Sequence, residues 1–176
     1  IAIIGLEPSC LLSLRDEFLA MGFGDAAVRL ADRAVLVEEF LAREHAAGRL
    51  RLPLGAIAQK RALVHGHCHQ KAFDALSPTV AMLKLVPGLA VDVVESSCCG
   101  MAGSFGYEAE HHEVSMRMAE AALLPAVRAA PQDTLIVADG TSCRHQIADG
   151  ASREALHVAR VLAMALGPAG TDVGGG

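Results

Sequence analysis

The sequence predicts an α/β fold, in which a small parallel β-sheet carries helices on both faces. Two observations lead to this class. Four short apolar runs, mostly of β-branched residues, have the length of buried strands; they are residues 1–4, 62–64, 90–94 and 135–138. The segments between these runs have helical spacing. Strands that alternate with helices pair in parallel through right-handed crossovers, so helices are expected on both faces of the sheet.

The helices follow from the spacing of their apolar residues. The clearest spans residues 25–47, where Leu30, Ala34, Val37 and Leu41 follow i, i+4, i+7, i+11 and define one helix face. Residues 79–85, 110–130 and 153–166 have similar spacing, and Pro125 is expected to kink or restart the second of these. Residues 1–166 are therefore predicted to form one domain, a Rossmann-like three-layer sandwich, followed by a flexible tail at 167–176.

Composition excludes several classes of protein. The net charge is −5 and the 176 residues include only six aromatic side chains, so neither phosphate neutralisation nor base stacking on nucleic acid is expected. The longest stretch without Asp, Glu, Lys or Arg has 12 residues, whereas a membrane-spanning helix needs roughly 20. The sequence thus predicts a soluble protein. Because the chain opens at Ile1 without an initiator Met or a signal-type segment, we expect it to be a C-terminal fragment of something longer.

The five cysteines are too few and odd in number for a disulfide scaffold, so reduced thiols or metal ligands are expected. Each one follows a predicted strand. Cys10, Cys68 and Cys143 come after the first, second and fourth strands, and the adjacent Cys98 and Cys99 come after the third. Because loops at the carboxyl ends of parallel strands gather at one edge, the five sulfurs are predicted to converge there.

Glycines follow the adjacent cysteines. Gly100, Gly103 and Gly106 allow the loop to wind tightly around a bound group. Soft thiolates in such a loop suit an iron–sulfur cluster or zinc. The same glycines could instead cradle a phosphate, although their spacing matches the known phosphate-binding fingerprints only weakly.

Histidines accompany two of the cysteines. His65, His67 and His69 alternate around Cys68, and such a triplet could bind zinc, cap the next helix or donate hydrogen bonds to cluster sulfur. His145, two residues after Cys143, is a candidate spare ligand. The remaining histidines, including His157, are expected to be solvated. The paired acidic residues Glu38 and Glu39 are likewise expected on a solvated helix face, with Arg43 nearby.

Four motifs together resemble the cysteine-rich "CCG" domain. They are Glu7-Pro8-Ser9-Cys10, His65-Gly66-His67-Cys68-His69-Gln70-Lys71, the run from Ser97 to Gly106, and Thr141-Ser142-Cys143-Arg144-His145-Gln146-Ile147. That domain occurs in iron–sulfur subunits of glycolate oxidase, anaerobic glycerol-3-phosphate dehydrogenase, lactate-utilisation proteins and heterodisulfide reductase. The motifs are most similar to the C-terminal part of fused proteins in which an FAD-linked oxidase domain precedes a ferredoxin-like segment.

The resemblance implies an iron–sulfur electron-transfer domain of a flavin-dependent 2-hydroxy-acid dehydrogenase of the glycolate, lactate or 2-hydroxyglutarate type. Substrate oxidation would occur at the FAD of the parent protein, and electrons would pass towards a quinone or another acceptor. The implied partners are the FAD-linked oxidase and ferredoxin-like parts, and the implied location is the cytoplasm or the inner face of the membrane. The isolated chain is not expected to be catalytic.

The resemblance also implies the ligands. Cys10, Cys68, Cys98, Cys99 and Cys143 would hold a [4Fe-4S] cluster, which could be of the noncubane kind, with His67, His69 and His145 as supporting or spare ligands. There are two departures. Gly140 stands where the family often has the first cysteine of a Cys-x-x-Cys, and only one vicinal cysteine pair is present. Two rival hypotheses therefore accompany the cluster, namely a zinc-stabilised structural domain and thiol–disulfide chemistry like that of heterodisulfide reductase.

Overall fold

A computed structural model describes residues 1–96 and 98–167, and it confirms the α/β class. The strands are β1 (Ile3–Gly5), β2 (Ala34–Leu36), β3 (Arg61–His65), β4 (Ala90–Val93), β5 (Leu135–Ala138) and β6 (Ala155–Leu156). The helices are α1 (Pro8–Leu12), α2 (Glu17–Ala20), α3 (Asp25–Ala31), α4 (Val37–Ala46), α5 (Cys68–Ala72), α6 (Leu76–Leu83), α7 (His112–Glu120), α8 (Leu123–Ala129), α9 (Thr141–Ala151) and α10 (Val158–Leu166). Most of the predicted tail, residues 168–176, lies outside the described residues.

The strands form two parallel sheets instead of the single sheet that the sequence predicted. The larger has the order β4-β3-β5-β6, and β1 pairs with β2 in a separate two-stranded sheet. In the larger sheet Val64 of β3 lies between Val93 of β4 and Val137 of β5. All four predicted apolar runs contribute strands, and each pairs in parallel as expected.

Two apolar layers cover the four-stranded sheet, and β5 divides its residues between them. Leu135 and Val137 pack with residues of α6 and α10 on one face, while Ile136 and Ala138 pack with residues of α8 and α9 on the other. Alternate side chains of a strand point to opposite faces, so a strand buried on both sides is apolar throughout. The predicted three-layer arrangement is therefore present around this sheet.

The sequence predicted one continuous helix over residues 25–47, and this prediction is wrong. Helix α3 ends at Ala31, the chain turns, and Ala34–Leu36 form β2 before α4 begins. All three strand residues are buried, and they pair with β1. The helix predicted over residues 153–166 is similarly shortened, because Ala155–Leu156 form β6. Between residues 110 and 130 the helix does restart, with Pro125 in the first turn of α8.

The topology creates a crevice at the carboxyl edge of the larger sheet. The chain leaves β3 towards its neighbour β4, and later returns to place β5 on the opposite side of β3. Ligands of open α/β sheets bind where connections diverge in this way. The segments that carry Cys68, Cys98, Cys99 and Cys143 all begin at this edge. No helix in the described part of the chain is both long and apolar enough to span a bilayer.

Candidate metal centre

The structure brings four of the five cysteines together. Cys68 begins α5, Cys98 and Cys99 lie in the segment after β4, and Cys143 lies in the first turn of α9. The sulfurs of Cys99 and Cys143 are 3.4 Å apart. Side-chain hydrogen bonds also link Cys68 with Cys98 and Cys98 with Cys99. The four sulfurs therefore form a continuous chain, called here the four-sulfur site.

The pKa values of the four cysteines are shifted in opposite directions within the four-sulfur site. Hydrogen bonds from Cys68 and Cys99 lower the pKa of Cys98, and a hydrogen bond with Cys99 lowers the pKa of Cys143. The same bonds raise the pKa of Cys68 and Cys99, with burial adding to the effect. Cys98 and Cys143 therefore lose their protons more readily than Cys68 and Cys99 do. Thiolates are the form in which cysteine ligates metals, and metal binding would release the remaining protons.

The sulfurs differ in exposure. Cys68 and Cys98 are half-buried, whereas Cys99 and Cys143 are buried in the apolar layer beneath α8 and α9. One end of the four-sulfur site is therefore accessible from the surface, and the other end is enclosed by the core.

Cys10 differs from the other four cysteines in its exposure. It is exposed in α1, and among the described residues no hydrogen bond joins its sulfur to the four-sulfur site. The loop before it is nevertheless fixed at the same edge. Glu7 accepts hydrogen bonds from the backbone N–H and the hydroxyl of Thr141, at 2.9 and 2.8 Å, at the start of α9. His157, expected to be solvated, is instead mostly buried and bonds the backbone oxygen of Leu6 at 2.8 Å.

His65 joins the four-sulfur site, although the sequence did not single it out from its two neighbours. One of its ring nitrogens lies within 4.8 Å of the sulfurs of Cys99 and Cys143, and all three residues are buried. Its Nδ1 lies 2.9 Å from the hydroxyl of Ser96, while its buried Nε2 has no oxygen or nitrogen partner, and His65 also has a side-chain hydrogen bond with Cys143. The signal available in the sequence was its place as the last residue of a buried strand.

The other three candidate histidines have different surroundings. Strand β3 ends at His65 and α5 begins at Cys68, so the triplet does not lie on one extended face. His67 caps α5 by accepting the N–H of His69, and burial lowers its pKa. His145 is exposed, and its Nδ1 lies 2.6 Å from the hydroxyl of Tyr107.

The ring of His67 also occupies space beside Gly140, the position where the resemblance places a missing cysteine. A Cβ atom at Gly140 would lie 2.5 Å from Cδ2 of His67 and 3.2 Å from the sulfur of Cys143. A side chain at this position would therefore point into the four-sulfur site, and in this chain an imidazole takes up that space.

The loop of Cys98 and Cys99 winds tightly, as its glycines predicted. Gly100, Ala102 and Gly103 all have left-handed backbone conformations. The N–H of Gly100 donates to the sulfur of Cys98 at 3.2 Å. This turn directs the two adjacent sulfurs into the site and presses the loop against Ser115 of α7.

A network of buried polar side chains supports the site from below, and it corrects the expectation that Glu38 is solvated. Glu38, Gln70 and Thr79 are fully buried, and Asp139 is almost fully buried. The amide nitrogen of Gln70 donates to Glu38 and to Asp139, each at 2.8 Å, and the amide oxygen of Gln70 accepts the N–H of His67 at 3.0 Å. This carboxyl network joins α4, α5, α6 and the residue that follows β5, close to Cys68 at the start of α5.

The two carboxyl groups of the network differ in their hydrogen bonds. Asp139 also accepts hydrogen bonds from the Thr79 hydroxyl and from the N–H of Val158, so its carboxylate is well satisfied. Burial, followed by the charge of Asp139, raises the pKa of Glu38 to about 8. Glu38 is therefore protonated at neutral pH. Glu39, also expected on a solvated face, instead pairs with Arg15 at 2.7 Å.

We expect Glu38→Gln to lose less stability than the wild-type protein does as the pH rises. The raised pKa of Glu38 means that its stabilising contribution is present below about pH 4.5 and is lost as the pH rises towards about 8. Glutamine stays neutral and can still accept from Gln70. Between pH 5 and 9 the melting temperature of the variant should gain several degrees relative to wild type. Glu113→Gln, at an exposed position on α7, is the control, and parallel pH profiles for wild type and Glu38→Gln would contradict the protonated Glu38.

The residues present fit a bound metal group. Four sulfurs that are linked in a chain of hydrogen bonds, together with a buried imidazole nitrogen beside two of them, form a donor set of the kind that iron–sulfur clusters and zinc take. Tetrahedral bonds of about 2.3 Å to sulfur place two ligand sulfurs about 3.8 Å apart. The 3.4 Å between Cys99 and Cys143 is close to that separation.

Known proteins with similar sequences include dehydrogenases and a dehydrogenase subunit. It is 31% identical over 166 residues, 94% of its length, to a subunit of the anaerobic glycerol-3-phosphate dehydrogenase of Escherichia coli K12. It is 30% identical over 146 residues, 82% of its length, to D-2-hydroxyglutarate dehydrogenase of the same strain, and 26% identical over 147 residues to that of Pantoea ananatis.

The chain spans 41% of the length of the first relative, 14% of the second and 13% of the third. No protein-family model matches it, and no solved structure does. The relatives named are all dehydrogenases or a subunit of one, so the chain is similar to one part of larger oxidoreductases.

Proposed function

We propose that this chain is an iron–sulfur electron-transfer domain of a flavin-dependent 2-hydroxy-acid dehydrogenase. The ligands would be Cys68, Cys98, Cys99 and Cys143, with Cys10 as a further candidate. The observation that carries the proposal is the four-sulfur site itself. Its members come from three different strand ends and are still linked, each to the next, by hydrogen bonds at the carboxyl edge of a parallel sheet. Cysteine thiols serving only as small core residues have no reason to gather in this way.

The exposure of the site favours electron transfer. A bound cluster would supply one-electron oxidation and reduction. Cys68 and Cys98 would face the surface through which electrons enter or leave, and the buried Cys99 and Cys143 would limit solvent access on the other side. The Gly100 N–H that points at the Cys98 sulfur would raise the reduction potential, because hydrogen bonds to ligand sulfur stabilise the reduced state.

The relatives guide the choice of reaction and partners. One is named as a subunit of a glycerol-3-phosphate dehydrogenase, and the others are named for oxidation of 2-hydroxyglutarate. The proposed partners are an FAD-linked oxidase part and a ferredoxin-like iron–sulfur part of the same protein or complex. Electrons would come from the FAD and pass to a quinone or another acceptor, in the cytoplasm or at the inner face of the membrane.

Protein purified without oxygen from iron-replete cells is expected to be brown and to contain iron and acid-labile sulfide. Thiolates near the surface leave a cluster open to oxidation, so exposure to air should bleach the colour and release iron. Metal and sulfide analysis, together with visible absorption before and after dithionite, checks this. Strictly anaerobic protein with stoichiometric zinc and no iron would overturn the proposal.

A zinc-stabilised domain is the second candidate function, and one observation favours it. His65, Cys99 and Cys143 by themselves form a compact buried group with one nitrogen and two sulfur ligands, which suits tetrahedral zinc. In that case Cys68 or Cys98 would supply the fourth ligand, and the protein would neither be coloured nor change its absorption on reduction.

A further inference from the structure

His65 lies at the buried end of the four-sulfur site, on the side of the sheet where the metal would be. It is only 1% exposed, and it is the last residue of β3. Side chains alternate along a strand, so His65 and Leu63 share one face, while Ala62 and Val64 share the other. Leu63 packs in the apolar layer that contains Cys99 and Cys143, and Ala62 and Val64 pack in the opposite layer.

The orientation of the imidazole is fixed from its other nitrogen. Nδ1 lies 2.9 Å from the hydroxyl of Ser96, which follows β4. This contact leaves Nε2 buried and without an oxygen or nitrogen partner, and the other side chain with which His65 has a hydrogen bond is Cys143. Histidine ligands of metals usually have one nitrogen on the metal while the other is held by a hydrogen bond. The contact with Ser96 is of that kind.

The distances suit coordination to a shared metal. The histidine nitrogen and the sulfurs of Cys99 and Cys143 all lie within 4.8 Å of one another, and the two sulfurs are 3.4 Å apart. Ligand atoms that surround one tetrahedral metal lie about 3.3–3.8 Å apart, given bonds of about 2.0 Å to nitrogen and 2.3 Å to sulfur. The three donor atoms therefore surround one small volume, and small side-chain movements would let each of them bind the same metal group.

We propose that Nε2 of His65 is a direct ligand of the metal group, beside the ligands Cys99 and Cys143. This inference rests on the proposed function, because it concerns the same site. It makes the ligand set a mixture of thiolates and one neutral imidazole. Imidazole in place of a thiolate lowers the negative charge around a cluster and raises its reduction potential. The domain would then accept electrons more readily than one with cysteine ligands alone.

The first test needs no variant. The protein is produced anaerobically with histidine labelled by ¹⁵N, and its paramagnetic redox state is studied by pulsed EPR. A directly bound imidazole gives a strong nitrogen coupling that changes between ¹⁴N and ¹⁵N samples. If iron and sulfide are present and no such coupling is seen, the inference about His65 is wrong and the proposed function stands. If iron is absent, the proposed function itself fails.

Three variants then identify the histidine. His65→Gln should remove the nitrogen coupling, whereas His67→Gln should retain it. His65→Cys should retain iron, lose the coupling and lower the midpoint potential, because a thiolate replaces the imidazole. His45→Gln, at an exposed position on α4, is the matched control and should behave as wild type. A coupling that persists in His65→Cys, or that disappears only in His67→Gln, would overturn the assignment, and His65→Cys decides the matter if His65→Gln fails to fold.

Discussion

Cys99→Ser is expected to abolish metal binding while the fold remains largely intact. Cys99 is central in the four-sulfur site, because its side chain bonds both Cys98 and Cys143. Serine keeps the size but removes the soft thiolate. The apolar layers on both faces of the sheet are unchanged, and a chain of this length buries roughly 70% of its unfolded surface. The loss of stability should stay near 1–3 kcal/mol, about that of a weakened buried hydrogen bond.

The measurement pairs iron and sulfide content with thermal melts followed by circular dichroism. Met101→Leu is the control, since Met101 lies in the same apolar layer and carries a sulfur that is not a proposed ligand. It should keep its iron. If Cys99→Ser loses iron and its helical signal also collapses at room temperature, the cysteines are primarily structural, because in such domains metal binding supplies the folding free energy.

Gly100→Ala should destabilise the protein strongly and disturb the four-sulfur site. Gly100 has φ +91°, and an added Cβ would lie 2.1 Å from the backbone oxygen of Ser115. Left-handed strain of about 1–2 kcal/mol adds to an overpacking cost of about 1–3 kcal/mol, since the backbone of α7 cannot move aside cheaply. We expect a loss of about 3 kcal/mol or more, and a melting temperature lower by about 6–12 °C.

Gly103→Ala is the matched control for the steric part of that effect. Gly103 also has a left-handed φ, of +68°, but a Cβ there would have no atom within 4 Å. Its cost should be only the backbone strain, about 1–2 kcal/mol, with iron content retained. Equal destabilisation by the two substitutions would mean that the close approach of Gly100 to α7 has no role in the site.

Strands could be predicted from the sequence where an apolar run could be distinguished from part of a helix. The strand runs at 62–64 and 135–138 are mostly buried between layers and lack polar alternation, which made them visible. The run at 90–94 was also recognised as a strand, but β4 lies at the edge of the sheet and is largely exposed, so the expectation that it is buried was wrong. Strand β2 was not visible, because Ala34 and Val37 also fit the helical spacing that continues from Leu30 to Leu41. Three residues are fewer than one helical turn, so periodicity cannot separate a short strand from a helix. The same ambiguity hid the two residues of β6.

The site was predictable as far as topology determines it. The position of each cysteine after a strand implied a common edge, and four sulfurs do meet there. Cys10 follows β1, which belongs to the smaller sheet, and one sequence does not show that the sheet divides. The burial of Glu38 was also invisible, because its partners Gln70 and Asp139 lie 32 and 101 positions further along the chain. Long-range partners of this kind have no signature in local spacing.

Because the four sulfurs come from three strand ends, the protein would have to fold before it could bind a metal group. Residues 68, 98, 99 and 143 come together only after β3, β4 and β5 have reached their register, so an unfolded chain presents no preformed site that could capture metal. Parallel pairings over such separations form slowly, because the chain must close long loops first. A metal group would therefore reach a protein that is already folded and whose innermost thiols, Cys99 and Cys143, are covered. The half-buried Cys68 and Cys98 would be the first ligands that it meets.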